Sequence, residues 1–307
     1  MIQVDNLSKR FGEIRAVDGI SFRVEEGEIY GLLGPNGAGK TTTLSMMTGL
    51  LQPDDGRVCF GSIDIAADPL GFRNQLGVVP QEIALYEELT AKENLSFWGG
   101  LYGLSGKRLQ DAVAEVLDRV GLAGRSHEPV KNFSGGMKRR LNLCLGLIHR
   151  PKALLLDEPT AGIDPQARQN LLEIVEEVAH AGTTVVYTTH YLEEAERLCD
   201  RIGIMDHGKI LAEGDLEKLK AMVGEEEAVT LFGSFNVEQA KLRVETLRGV
   251  HLITAEPGRL VLGTGDSGQT SLDLIQRMSD FEVERISIQP PSLNSLFLKL
   301  TGRELRD

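Results

Sequence analysis

The run Gly34-Pro35-Asn36-Gly37-Ala38-Gly39-Lys40-Thr41 fits the spacing GxxxxGK[ST]. It follows a strand-like stretch, Ile29 to Leu33, and precedes a helix-like one, Thr42 to Leu50. Glycines let the backbone curl so that successive N–H groups face a phosphate chain, Lys40 adds a point charge, and the helix N-terminus adds its partial positive charge. Thr41 can set its hydroxyl on Mg²⁺. The expected phosphate ligands are therefore Gly34, Pro35, Asn36, Gly37, Ala38, Gly39, Lys40, Thr41 and Thr42. A second chemical signal lies further on, where the apolar run Ala153 to Leu156 ends in Asp157 and Glu158. Buried strands normally end in neutral turn residues, so paired acids at the C-terminal end of a strand, where α/β sheets bind ligands, suggest a Walker B strand. Asp157 would hold Mg²⁺ through water, and Glu158 would polarise the water that attacks the γ-phosphate.

These groups need a rigid frame. Short apolar runs at 29–33, 76–79, 153–156 and 183–187 have strand length, and several precede helix-like stretches. Fully apolar strands alternating with helices predict an α/β sheet. Residues 109–120 place Ala112, Val113, Val116, Leu117 and Val120 at helical spacing, and 171–178 behave similarly. The chain has 307 residues, enough for about two domains. A break is expected near Gly224 and the three glutamates after it, giving domains 1–222 and 223–307. The second reads as strand, helix, two strands, helix (271–278), strand, the ferredoxin-like order. A last helix at 293–300 would dock through Leu296, Phe297 and Leu300.

Composition excludes several classes. Hydrophobic residues make up 41% and charged residues 25%, as in a folded chain. The net charge of −12 speaks against a generic nucleic-acid binder. Cys59, Cys144 and Cys199 form no metal-ligand spacing and make poor material for a disulfide framework, which predicts a reducing compartment. The N-terminal MIQVDNLSKRFGE meets charge too early for a secretory signal. No apolar run approaches the roughly 18 residues of a membrane span, so a membrane role would need a partner chain.

Asn132-Phe133-Ser134-Gly135-Gly136-Met137, ahead of a largely apolar helix-like run, resembles the signature of the ATP-binding cassette (ABC) ATPases, usually LSGGQ. Ser134, Gly135 and Gly136 would start a helix and form a second anion site. The resemblance spans about residues 2–222 and meets the family's motifs in order. It implies a P-loop NTPase fold of ABC type, a RecA-like core plus helical subdomain, and it implies ATP and Mg²⁺ as ligands. It also implies roles: Phe11 stacking on adenine, Gln81 of Val78-Val79-Pro80-Gln81-Glu82 reaching Mg²⁺ and the attacking water, Asp164 of Ala161-Gly162-Ile163-Asp164 in the D-loop, and His190 contacting the γ-phosphate. The catalytic set so implied is Lys40, Gln81, Glu158 and His190. Two positions depart from the pattern: Met137 replaces Gln, and Ala161 replaces a common Ser. Hydrolysis should survive both, with affinity across the dimer the quantity affected.

Members of the family join cradle and signature only across a head-to-tail dimer holding two ATP molecules. One cassette here implies a homodimer or a pairing with a second cassette. The stretch from Gln81 to Tyr102 resembles the groove that receives a permease's coupling helix; Tyr86, Phe97 and Trp98 would line it or fill the helical subdomain's core. This stretch and the tail at 290–302 resemble the ABC-2 export class, including daunorubicin-type cassettes. The expected protein is the ATPase subunit of such an exporter, held at the cytoplasmic face by a separate permease, with no nucleic acid expected. The rival is a non-transport ABC ATPase acting on nucleic acid or the ribosome; a third reading binds nucleotide without hydrolysis and is disfavoured by Glu158. The C-terminal domain would regulate, stabilise the dimer or sense a small ligand.

Overall fold

A computed structural model describes residues 1–223, 227–234, 236–245, 249–264, 282–289 and 292–301. They form two compact units, Met1–Ile210 and Leu211–Asp307. The first unit begins with β1 (Ile2–Phe11), β2 (Ile14–Val24), β3 (Ile29–Leu33), α1 (Lys40–Met47), β4 (Asp55–Phe60), β5 (Ile63–Asp64), α2 (Pro69–Arg73) and β6 (Leu76–Val79). It continues with α3 (Ala91–Leu101), α4 (Gly106–Arg119), α5 (Gly135–Leu147), β7 (Ala153–Asp157), α6 (Pro165–His180), β8 (Thr184–Thr189), α7 (Leu192–Leu198) and β9 (Arg201–Asp206). β10 (Lys209–Gly214) carries the chain across the boundary.

The central sheet runs parallel in the order β9-β3-β8-β7-β6. Every residue of β3, β7 and β8 is buried, as parallel strands covered on both faces require. The period-2 alternation of a strand divides β7 between two cores. Leu154 and Leu156 join the helices α3 to α6 on one side, whereas Ala153 and Leu155 join α1 and the antiparallel sheet β2-β1-β4-β5 on the other. Truncating Leu156 to Ala would cost about 2–5 kcal/mol, the usual range for a buried leucine. The helices start where their caps dictate. Thr90 and Glu93 form a capping box on α3, Ser134 caps α5, and Asp164 caps α6 ahead of Pro165. The buried stripe of α4 is Ala112, Val113, Val116 and Leu117, as its periodicity predicts.

The second unit contains α8 (Leu216–Val223), β11 (Glu227–Ser234), α9 (Val237–Glu245), β12 (Val250–Glu256), β13 (Arg259–Thr264), β14 (Glu282–Gln289) and α10 (Leu293–Thr301). Its sheet is antiparallel in the order β12-β13-β11-β14. Val229, Leu231, Leu260 and Leu262 pack under it with Val244 of α9. The helix expected at 271–278 lies outside the described residues. The division falls at Ile210/Leu211, ahead of the Gly224 interruption, because α8 packs against α10. α10 buries Leu293, Leu296, Phe297 and Leu298, while Leu300, expected as an anchor, is 40% exposed. Leu300 shares the face of Leu293, Leu296 and Phe297 by helical period but lies in the last turn of α10, beyond the residues that are covered.

Candidate functional site

The loop between β3 and α1 folds as its glycines allow. Gly37 (φ 83°) and Gly39 (φ 108°) occupy left-handed backbone, and a Cβ on Gly39 would stand 2.4 Å from the Ala16 carbonyl oxygen. Gly39 gives α1 no side-chain cap, so the first amides of the helix are free to meet an anion. α1 starts at Lys40 rather than Thr42, which draws Lys40 and Thr41 into the helical first turn. Phe11, Asn36, Gly37, Gly39, Lys40, Thr41, Thr42, Gln81 and Glu158 line one cavity of about 350 Å³ together with Ala16. Gly34, Pro35 and Ala38 complete the loop, and the carbonyls of Gly34 and Pro35 accept from Lys40 Nζ at 2.6 and 3.1 Å.

Lys40 and Glu158 are nearly buried, and Lys40 Nζ lies 3.0 Å from Glu158 Oε1. Gln81 Nε2 donates to Glu158 Oε2 at 3.3 Å. His190 Nδ1 lies 3.0 Å from the same oxygen without the alignment of a hydrogen bond. Burial pushes the Glu158 carboxyl up, but the charge and hydrogen bond of Lys40, with His190 beside it, hold it below its ordinary value. Glu158 has φ 42°, a left-handed conformation that strains a non-glycine residue, and such strain gathers at functional sites. Its amide is anchored by Thr188, through Oγ1 at 3.0 Å and the carbonyl at 3.2 Å.

Asp157 ends β7 one residue earlier. Its Oδ1 accepts from Thr188 Oγ1 at 2.7 Å and from Thr41 Oγ1 at 3.2 Å. Thr41, Gln81 and Asp157 also line an adjoining cavity of about 300 Å³. Oxygen donors from a hydroxyl, an amide and a carboxylate form a hard set of the kind Mg²⁺ takes when phosphate and water supply its other ligands.

Other predicted residues lie elsewhere. Ser134, Gly135 and Gly136 do not line the cradle cavity. Ser134 Oγ accepts from Met137 N at 3.3 Å at the start of α5, and a Cβ on Gly136 would stand 2.6 Å from Ala167 Cβ of α6. Asp164 caps α6 by accepting from Ala167 N at 3.0 Å, so signature and D-loop stand side by side. The aromatics of the helical subdomain divide. Tyr86 and Phe97 are 49% and 44% exposed, with ring centroids 5.2 Å apart, whereas Trp98 packs on the core.

Sequence reading missed Thr188 and Arg139. Thr188 looks like an ordinary β-former; its only signal is a polar residue near the end of a fully buried strand. Arg139 of α5 donates to the carbonyl of Gln81 and, at 2.8 Å, to that of Ala161, so it ties the loop bearing Gln81 to the D-loop.

A family model described as ABC transporter matches residues 17–161. The linearmycin resistance ATP-binding protein LnrL of Bacillus subtilis (strain 168) is 43% identical over 100% of both chains. The daunorubicin/doxorubicin resistance ATP-binding protein DrrA of Streptomyces peucetius is 37% identical, covering 100% of this chain and 94% of its own. The Nod factor export ATP-binding protein I of Sinorhizobium fredii (strain NBRC 101917 / NGR234) is also 37% identical, over 100% and 87%. Among solved structures, an ATP-binding subunit of an ABC transporter superposes with a TM-score of 0.66 at 32% identity, over 73% of this chain and 93% of its own. The dimeric cassette MJ0796, in a post-hydrolysis state with ADP and Pi, superposes with a TM-score of 0.64 at 26% identity, over 70% and 98%. The chain belongs to the ABC transporter family. It is an ATPase and the nucleotide-binding component of an exporter. Among the described residues no helix is long and apolar enough to cross a membrane.

Proposed function

We propose that this chain hydrolyses ATP to power efflux through a separate ABC-2 type permease, acting as a homodimer held by that permease at the cytoplasmic face of the membrane. The observation that carries the reading is the convergence of Lys40, Gln81 and His190 on the Glu158 carboxylate at the wall of the glycine-turned cradle. Relatives named for drug resistance and for Nod factor export match along the whole chain, which supports a shared engine whose cargo is set by the permease. A net charge of −12 gives no support to the nucleic-acid or ribosomal rival.

ATP enters with its phosphates against the first turn of α1 and with adenine on the Phe11 ring. Lys40 exchanges Glu158 for the β- and γ-phosphates. Thr41, Asp157 and Gln81 would hold Mg²⁺, which when bound supplies charge neutralisation for the phosphate oxygens. Loss of the Lys40 contact lets the Glu158 pKa rise, which strengthens the carboxylate as a base. It takes a proton from the attacking water as the oxygen of that water bonds to the γ-phosphorus and the bond to the bridging oxygen breaks. The Gln81 amide orients the water, and His190 hydrogen-bonds a γ-phosphate oxygen. Ser134, Gly135 and Gly136 of one chain close over the nucleotide of the other, beside Asp164 at the seam. Hydrolysis removes that bridge and reopens the dimer.

Glu158→Gln tests the reading. Turnover should fall about 10²- to 10⁴-fold while ATP binding persists; a variant that hydrolyses ATP at the wild-type rate would remove Glu158 from the mechanism.

A further inference from the structure

A buried carboxylate outside the catalytic set links the two loops that carry Glu158 and His190. Glu194, in the first turn of α7, is 1% exposed. Its Oε1 accepts from Thr160 Oγ1 at 2.6 Å, and its Oε2 accepts from Tyr187 OH at 2.9 Å and Thr189 Oγ1 at 2.7 Å. Arg168 Nε lies 3.5 Å from Oε1, within ion-pair range but without hydrogen-bond alignment. Three hydroxyls donate to the carboxylate, and the Arg168 guanidinium faces it as a charge. Burial, reinforced by the Glu194 charge, pushes the Tyr187 phenol well above its ordinary value and keeps it a donor.

The chain positions of these donors matter. Thr160 stands two residues after Glu158, and Thr189 stands immediately before His190. Thr189 Oγ1 also accepts from Tyr191 N at 2.9 Å, which closes a tight turn around His190. The Tyr191 ring lies 4.1 Å from the His190 ring, and the Arg168 guanidinium covers the Tyr191 ring, also at 4.1 Å. The cation that faces Glu194 thereby also holds the ring beside His190. One carboxylate fixes both the loop leaving Glu158 and the loop presenting His190.

We infer that Glu194 is a positioning residue for hydrolysis, holding Glu158 and His190 at a fixed separation through Thr160 and Thr189. The inference rests on the reading of Glu158 and His190 as the hydrolytic pair; Glu194 itself touches neither substrate nor reacting atoms. Glu194→Gln keeps the shape but removes the charge that faces Arg168 and turns one accepting oxygen into a donor, so that a hydroxyl which now donates to it must turn to accept. In the purified full-length chain with Mg²⁺ and ATP, kcat should fall tenfold or more, while equilibrium binding of ATP changes by less than about twofold. Thr189→Val cuts only the tie to the His190 loop and should lower kcat in the same way; Thr189→Ser keeps the hydroxyl and should restore it. This pair decides the matter if Glu194→Gln does not fold. In a His190→Ala background Glu194→Gln should cost less than it does in the wild type, because the share of its effect that passes through the His190 loop is already lost. A folded Glu194→Gln protein with wild-type kcat, Thr189→Ser no better than Thr189→Val, or full additivity with His190→Ala would overturn the proposal. Unimpaired turnover in Glu158→Gln, measured alongside, would overturn the underlying reading instead.

Discussion

The cradle at the start of α1 and the signature at the start of α5 are both helix N-termini opened by glycines, yet they are finished to different degrees. At the cradle, Lys40, Gln81 and His190 already surround Glu158, and Thr41 meets Asp157. At the signature, Ser134 and Asp164 do no more than cap the helices they precede. One chain thus presents a nearly complete chemical half, and, in the proposed function, an anion-binding half that closes over the nucleotide of another molecule. The two departures from the family pattern, Met137 and Ala161, fall at the signature and D-loop and leave Lys40, Asp157, Glu158 and His190 in place.

The difference can be sharpened on each side. On the cradle side, Phe11→Ala should weaken ATP binding about five- to a hundredfold, the usual worth of a base on an aromatic ring, and Phe11→Tyr should retain it. That loss should be the same in protein too dilute to dimerise, which nucleotide titration across protein concentrations would check. On the signature side, Met137→Gln should tighten ATP binding only about two- to tenfold, by a hydrogen bond made across the seam, and only where dimers form. A gain in dilute monomer would break the contrast between the two halves. The smallest effect concerns acid. The Glu158 carboxyl is held below its ordinary 4.5 in the folded chain. Its ion pair with Lys40 therefore contributes full stability above pH 4.5, and the contribution is lost as pH falls through the lowered folded value. The thermal midpoint of the nucleotide-free protein should fall in that window, and Glu158→Gln should flatten the fall by a few degrees.

Much of the cradle was legible because its chemistry is written in contiguous residues. The run at 34–41 needs glycines at fixed offsets to turn the backbone, and a strand ending in Asp157-Glu158 puts two acids where α/β sheets meet ligands. The parallel strands were legible because residues buried on both faces leave unbroken apolar runs. What escaped depends on contacts between distant residues. Thr188 and Thr189 look like β-formers, yet one anchors Asp157 and Glu158 and the other bonds Glu194. Arg139 looks like the polar face of a helix, yet its guanidinium reaches two loop carbonyls. The pairing of α8 with α10 belongs to the same kind, since no local pattern announces it.

The central claim, that each working site joins one chain's cradle to another chain's signature, is tested most directly by mixing two disabled variants. Lys40→Ala removes the cradle charge, and Ser134→Arg blocks the signature. Each protein alone should hydrolyse almost no ATP. Random pairing after mixing makes half the dimers mixed, each with one intact composite site, so about a quarter of wild-type activity should return. Mixtures that stay inactive although the chains exchange, or a Ser134→Arg protein that is active alone, would contradict the account.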